Sequence, residues 1–91
     1  MIKLTVEVWS LPNCPRCVEA KNRLRAAGIE VAERNIEDVR SARVRDIDVL
    51  SQSAAQLSAP ILRVIRSGSD RRDEFIPPEE LDAWLAGDMA T

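Results

Sequence analysis

The chain has no histidine and only two cysteines among its 91 residues. Without an imidazole, a cysteine–histidine hydrolase is excluded unless another base takes its place, because that nucleophile needs a neighbour to accept its proton. Metal binding is equally short of donors. A structural zinc centre normally takes four nitrogen or sulfur ligands, so carboxylates or a second subunit would have to complete a site begun by the two thiols. No apolar run approaches the ~20 residues that cross a bilayer. An excess of one charge is missing too: 13 basic residues face 15 acidic ones, for a net charge of -2. That balance lacks the basic stripe of a nucleic-acid binder. The opening residues, Met1 to Val8, alternate apolar and polar at once and offer no signal-peptide core. The expected compartment is therefore the cytoplasm. Thiols stay reduced there, so a cysteine pair reads as reactive or metal-binding rather than as a structural staple.

What is present fits one α/β domain over residues 1–87 with a frayed tail over 88–91, and no repeats or linkers. The period of two from Ile2 to Trp9 predicts a strand with Ile2, Leu4, Val6 and Val8 on one face. From Cys14 to Ala27 the period becomes helical, with Cys17, Ala20, Leu24 and Ala27 in line. Pro15 suits the first helical position and Gly28 the residue past the end. Ile29 to Glu33 alternates as a short strand with one exposed side. From Ile36 to Leu57 the spacing predicts a helix with a break, carrying a stripe of Ile47, Leu50, Ala54 and Leu57 that Val39 and Ala42 would extend upstream. After Pro60, Ile61–Arg66 and Arg71–Ile76 are expected to form an antiparallel hairpin around Ser67-Gly68-Ser69-Asp70. Pro77-Pro78-Glu79-Glu80 then opens a last helix with Leu81, Trp84 and Leu85 inward. The order is β-α-β-α-β-β-α. It implies a right-handed parallel crossover, completed by the hairpin into a mixed four-stranded sheet with helices on both faces.

The chemistry concentrates in Asn13-Cys14-Pro15-Arg16-Cys17. Cys14 falls at the start of the helix, where free backbone N–H groups and the helix dipole stabilise a thiolate, and Arg16 adds a positive charge. Both effects favour the nucleophilic form of the sulfur. Cys17 lies one turn further in on the apolar face, where a resolving thiol is shielded. Disulfide exchange follows from this arrangement: Cys14 attacks a substrate disulfide, and Cys17 then displaces the substrate from Cys14. A buried pair without chemistry and a shared metal site are the competing readings of the same residues. A Cys-Pro-Arg-Cys run opening a helix directly after a strand weighs against the first, and the lack of any histidine or further cysteine against the second.

The run Val8 to Cys17 resembles the active-site segment of the glutaredoxins and of the NrdH redoxins, glutaredoxin-like electron donors to ribonucleotide reductase. The resemblance extends over nearly the whole chain, through the element order of a minimal thioredoxin-like fold. It implies a dithiol–disulfide oxidoreductase with Cys14 as nucleophile and Cys17 as resolving thiol. It further implies that Ser58-Ala59-Pro60 ends in a cis-proline beside the pair, with the Ala59 backbone meeting the substrate's extended chain. Pro15 and Arg16 would modulate the pair. No bound cofactor or metal is implied, only the redox-active disulfide and an outside reductant, either thioredoxin reductase or glutathione. The implied partner is a disulfide-containing protein acted on by a monomer. Two departures favour thioredoxin reductase. Leu11 stands where glutaredoxins commonly have a glutathione-binding lysine, and Phe75-Ile76-Pro77-Pro78-Glu79-Glu80 replaces their Gly-Gly-x-Asp segment. The latter is closer to the Phe-x-Pro-Asp ending of the NrdH redoxins. A glutathione-dependent glutaredoxin is the alternative, and a thioredoxin-fold binding or redox-sensing module, metal-bridging at a dimer interface, is a third reading. The stretch from Asn35 to Pro60 exceeds the family norm by a few residues, and its arginines between Arg40 and Arg45 suit a solvated helix face or a docking surface. Trp9 stands where the family often has tyrosine.

Overall fold

A computed structural model describes residues 3–55, 59–67 and 74–87. Its elements are β1 (Lys3–Ser10), α1 (Pro15–Ala26), β2 (Glu30–Asn35), α2 (Ile36–Arg40), α3 (Ile47–Ala55), β3 (Ile61–Ser67), β4 (Glu74–Ile76) and α4 (Leu81–Gly87), the last entered through a single 3-10 turn over Pro78–Glu80. The four strands form one mixed sheet in the order β2-β1-β3-β4. β1 runs parallel to β2 and antiparallel to β3, and β3 is antiparallel to β4. This is the thioredoxin-like α/β architecture that the element order implies.

β1 is central because both its faces are apolar where helices cover them. Val6 and Val8 are fully buried with Ala20 and Leu24 of α1, Leu62 and Val64 of β3, and Leu81 of α4. Leu4, Trp84 and Leu85 pack at the margin of this cluster. On the opposite face, Trp9 and Ile61 pack with Ile36 and Val39 of α2 and Val49 of α3. Leu11, Ala59 and Phe75 edge that second cluster. Burial of each such side chain contributes about 1.5–3 kcal/mol. Trp9 thus has a packing role, and its Nε1 donates to Glu7 at 3.2 Å.

Helix α1 begins and ends where its sequence signals lie. Pro15 occupies the first helical turn and Ala27 the C-cap, followed by Gly28 at a φ of 78°. Only glycine takes that left-handed conformation without strain. Cys17, Ala20 and Leu24 are buried as expected, whereas Ala27 is exposed, since the chain has already turned away towards Ile29.

The long middle segment departs from its sequence pattern. The expected break is present: α2 stops at Arg40, Ala42 adopts a φ of 62°, and α3 starts at Ile47 after six intervening residues. Helical phase is lost across that break, so Ala42 does not extend the stripe and Arg43 and Arg45 sit in the exposed connection rather than on a helix face. The predicted stripe of α3 is corrected as well. Ile47 is 79% exposed, Leu50 48%, and Ala54 is exposed too, while Val49 and Ser53 are buried. Leu57 lies outside the described residues, as do Ile2, most of the hairpin turn, Arg71 to Asp73 and the tail over 88–91.

Polar contacts set this phase. Asp46 caps α3, accepting the Val49 N–H at 3.1 Å, and its other carboxylate oxygen accepts from Arg63 on β3. Arg63 also faces Glu7 of β1 at 3.6 Å. Arg40 of α2 reaches the buried Ser53 hydroxyl at 3.3 Å. With the first turn of α3 tied to β3 and its middle tied to α2, Val49 faces the sheet and Ile47 faces water.

Two measurements check this arrangement. In urea unfolding, Val49→Ala should lose about 2 kcal/mol, and Ile47→Ala should stay within about 0.5 kcal/mol of the parent. The reverse ranking would mean that α3 docks through its other face. Partial burial opposes the charge of Asp46, but the Val49 N–H and the Arg63 guanidinium outweigh it and hold the carboxyl below its ordinary value. A carboxyl lowered by folding stabilises fully above its unfolded value of ~3.9 and loses that contribution as pH falls through the folded value. Asp46→Asn, which keeps a capping oxygen, should therefore cost about 1 kcal/mol at neutral pH and progressively less below about pH 4. A difference constant across that range would rule out the ionic contribution.

Candidate active site

At Ser10 the central strand ends, and three residues turn the chain into α1. Asn13 completes the turn at a φ of 57°, a left-handed conformation that asparagine tolerates better than most side chains. Cys14 is the N-cap, with an extended backbone at φ -110° and ψ 98°. Its carbonyl accepts the N–H groups of Cys17 at 3.1 Å and Val18 at 3.2 Å, and its Sγ accepts the Cys17 N–H at 3.2 Å. The sulfur thereby occupies the place of a capping oxygen.

Cys14 and Cys17 form a disulfide across this first turn, with Cα atoms 5.3 Å apart. Their environments differ. Cys14 is partly exposed, whereas Cys17 is 2% exposed on the face that α1 turns to the sheet. No acidic residue stands in the first turn to oppose negative charge on the sulfur. A reduced sulfur at Cys14 would meet the Cys17 N–H and the positive end of a twelve-residue helix, which is the setting that activates a thiolate.

The remaining residues singled out from the sequence divide around the pair. Pro15 and Arg16 are exposed. Pro15 shares the cleft of the cysteines, and Arg16 turns instead to a hollow between α1 and the 3-10 turn, lined also by Glu19, Arg23, Pro78 and Glu79. The Ala59–Pro60 bond is cis. Pro60 is buried at the entrance to β3, whose first residue, Ile61, pairs with Trp9 near the end of β1. Ala59 and Leu11 edge one apolar cluster, so the segment before β3 and the loop before Cys14 share a support.

Other members of the cleft escaped the sequence reading. Ser10, Leu11, Asn13, Cys14, Pro15 and Cys17 line it together with Val18 and Lys21. Val18 is 52% exposed beside the pair. Lys21 donates to Glu33 of β2 at 2.7 Å, and Arg25 stands 3.4 Å from the same carboxylate. Lys21 and then Arg25 hold the Glu33 carboxyl below its ordinary value. The available signal was the spacing of four, seven and eleven residues from Cys14, which places these side chains on its own face of the helix.

Among the described residues, no group of three or more histidine, cysteine, aspartate or glutamate side chains could hold a metal ion. No helix among them is long and apolar enough to cross a membrane.

No curated protein matches the chain. The family model of glutaredoxin does match, over residues 6–55, which takes in β1 from Val6 onward, the cysteine loop, α1, β2, α2 and α3. Because that match spans more than half of the 91 residues, the chain belongs to the glutaredoxin family, a group of thiol–disulfide oxidoreductases.

Proposed function

We propose that this protein reduces disulfides in other proteins through the Cys14–Cys17 dithiol, as an NrdH-redoxin-like electron donor of which ribonucleotide reductase is a candidate recipient. The observation that carries the reading is the unequal pair: a partly exposed sulfur at a helix N-terminus, joined to a buried one.

In the reduced protein, the Cys14 thiolate attacks one sulfur of the substrate disulfide. The substrate S–S bond breaks as the Cys14–substrate bond forms, and the departing substrate thiolate takes up a proton. Cys17, having given up its own proton, attacks the Cys14 sulfur, and the substrate's second sulfur leaves and is protonated in turn. Two electrons have then passed to the substrate, which holds two thiols, and Cys14–Cys17 is a disulfide. A dithiol of thioredoxin-reductase type returns the two electrons.

Two features support that reductant over glutathione. Leu11 packs at the edge of the apolar cluster of Trp9 and Ile61, where a lysine would present a cation for a glutathione carboxylate. Pro77 and Pro78 enter α4 in place of glycines, which would have let a ligand approach the backbone closely. The protein would act as a cytoplasmic monomer, with Pro60 and the Ala59 backbone bordering the bound substrate chain.

The oxidised protein should be reduced by NADPH and thioredoxin reductase and should turn over an insulin-type protein disulfide. Cys14→Ser should abolish turnover. Cys17→Ser should stall as a mixed disulfide visible by mass spectrometry. Thiolate absorbance should place the ionisation of Cys14 below the ~8.5 of a free thiol. Full activity of Cys14→Ser would remove the nucleophile. Turnover of Cys17→Ser with glutathione, alongside a wild type that thioredoxin reductase cannot reduce, would make glutathione the reductant. Stoichiometric metal in anaerobically prepared protein that lacks exchange activity would favour a metal-bridging role.

A further inference from the structure

We propose that the face of α1 leading away from Cys14, formed by the exposed Val18 and Arg25 with the half-buried Lys21 between them, receives an acidic segment of the disulfide-bearing protein substrate. This rests on the reading of the protein as a protein-disulfide reductant and specifies which proteins it favours.

At 100° per residue, positions 14, 18, 21 and 25 fall within about 60° of one another on α1. The buried positions Cys17, Ala20 and Leu24 point elsewhere, into the core. Along this outer face the cleft continues from the Cys14 sulfur past Val18 to Lys21. Of the large hydrophobic side chains of α1, Val18 alone among the described residues is exposed. It offers apolar contact within one turn of the reacting sulfur.

Beyond Val18 the face is positively charged. The Lys21 ammonium and the Arg25 guanidinium share a single carboxylate, that of Glu33, leaving one positive charge in excess. Glu19, the one acid of α1, lies about 120° or more around the helix from Lys21 and Arg25 and pairs with Arg23, so its charge falls on another face. Arg25 retains 53% side-chain exposure, and Glu33 retains 54%. An incoming carboxylate can therefore reach the Arg25 guanidinium from solvent without displacing any buried group. An apolar contact beside the sulfur and a net cation one to two turns further along fit a substrate chain with an acidic residue flanking its cysteine.

The test uses two synthetic peptides, each closed by one disulfide and identical except that flanking aspartates in one are lysines in the other. Pre-reduced protein, freed of reductant, is mixed with each, and single-turnover rates are read by acid quench. The acidic peptide should react about fivefold faster at low ionic strength, the upper range for an exposed ion pair. That ratio should fall towards one in molar salt, where the Debye length is about 3 Å. Arg25→Glu should reverse the preference, and Arg25→Lys should restore it. Equal rates, a faster basic peptide, or a preference unmoved by Arg25→Glu would overturn the docking face while leaving the reductase reading intact. If neither peptide is reduced, the reductase reading itself fails.

Discussion

The site depends on how α1 is held against the central strand. Cys17, Ala20 and Leu24 are buried on the same side of the sheet as Val6 and Val8, and that packing fixes where the helix begins. Its N-terminus carries N–H groups with no partner within the helix, and the Cys14 sulfur accepts one of them. Were the helix free to shift by one residue, the sulfur would leave the cap and lose that contact. The core thus stabilises the domain and also keeps one sulfur at a point of positive potential. Cys17 belongs to both parts: its side chain is packed as a small apolar group, and its sulfur is bonded to Cys14.

The opposite face of the sheet supports the same end of the molecule. Pairing of Trp9 with Ile61 brings the end of β1 and the start of β3 level, so the loop before Cys14 and the segment ending in Pro60 rest on one apolar cluster. α2 and α3 cover that cluster through Ile36, Val39 and Val49. Next to it, polar contacts replace apolar ones, with Glu7, Arg63 and Asp46 tying two strands to the beginning of α3. The two faces divide the work: one carries the helix that bears the cysteines, and the other supports the loops around them.

Much of this was legible in local pattern. Alternation in β1, the proline and glycine bounding α1, and the apolar face of Cys17, Ala20 and Leu24 each state a local rule that the fold obeys. The unequal settings of Cys14 and Cys17 were legible from spacing, because three residues on a helix separate a cap from a core position. α3 shows where such reading stops. Its sequence pattern reads as a single stripe through Ile47 and Leu50, whereas Val49, on another face, is the residue buried, and periodicity has no means of ranking the two faces. Contacts of Asp46 with Arg63, and of Arg40 with Ser53, made the choice. Lys21 and Arg25 were overlooked for a related reason: charged residues on a helix usually face solvent without consequence, and only their convergence on Glu33 of another strand marks them out.

By itself, then, the sequence determined the kind and order of the elements and the cap and core settings of the cysteine pair, because capping, helical spacing and strand alternation act between residues a few positions apart. The tertiary structure alone decided which side of α3 is buried, how the Ala59–Pro60 segment meets the loop before Cys14, and which charges border the cleft. Those outcomes depend on contacts between residues far apart in the chain, whose distances no local pattern encodes.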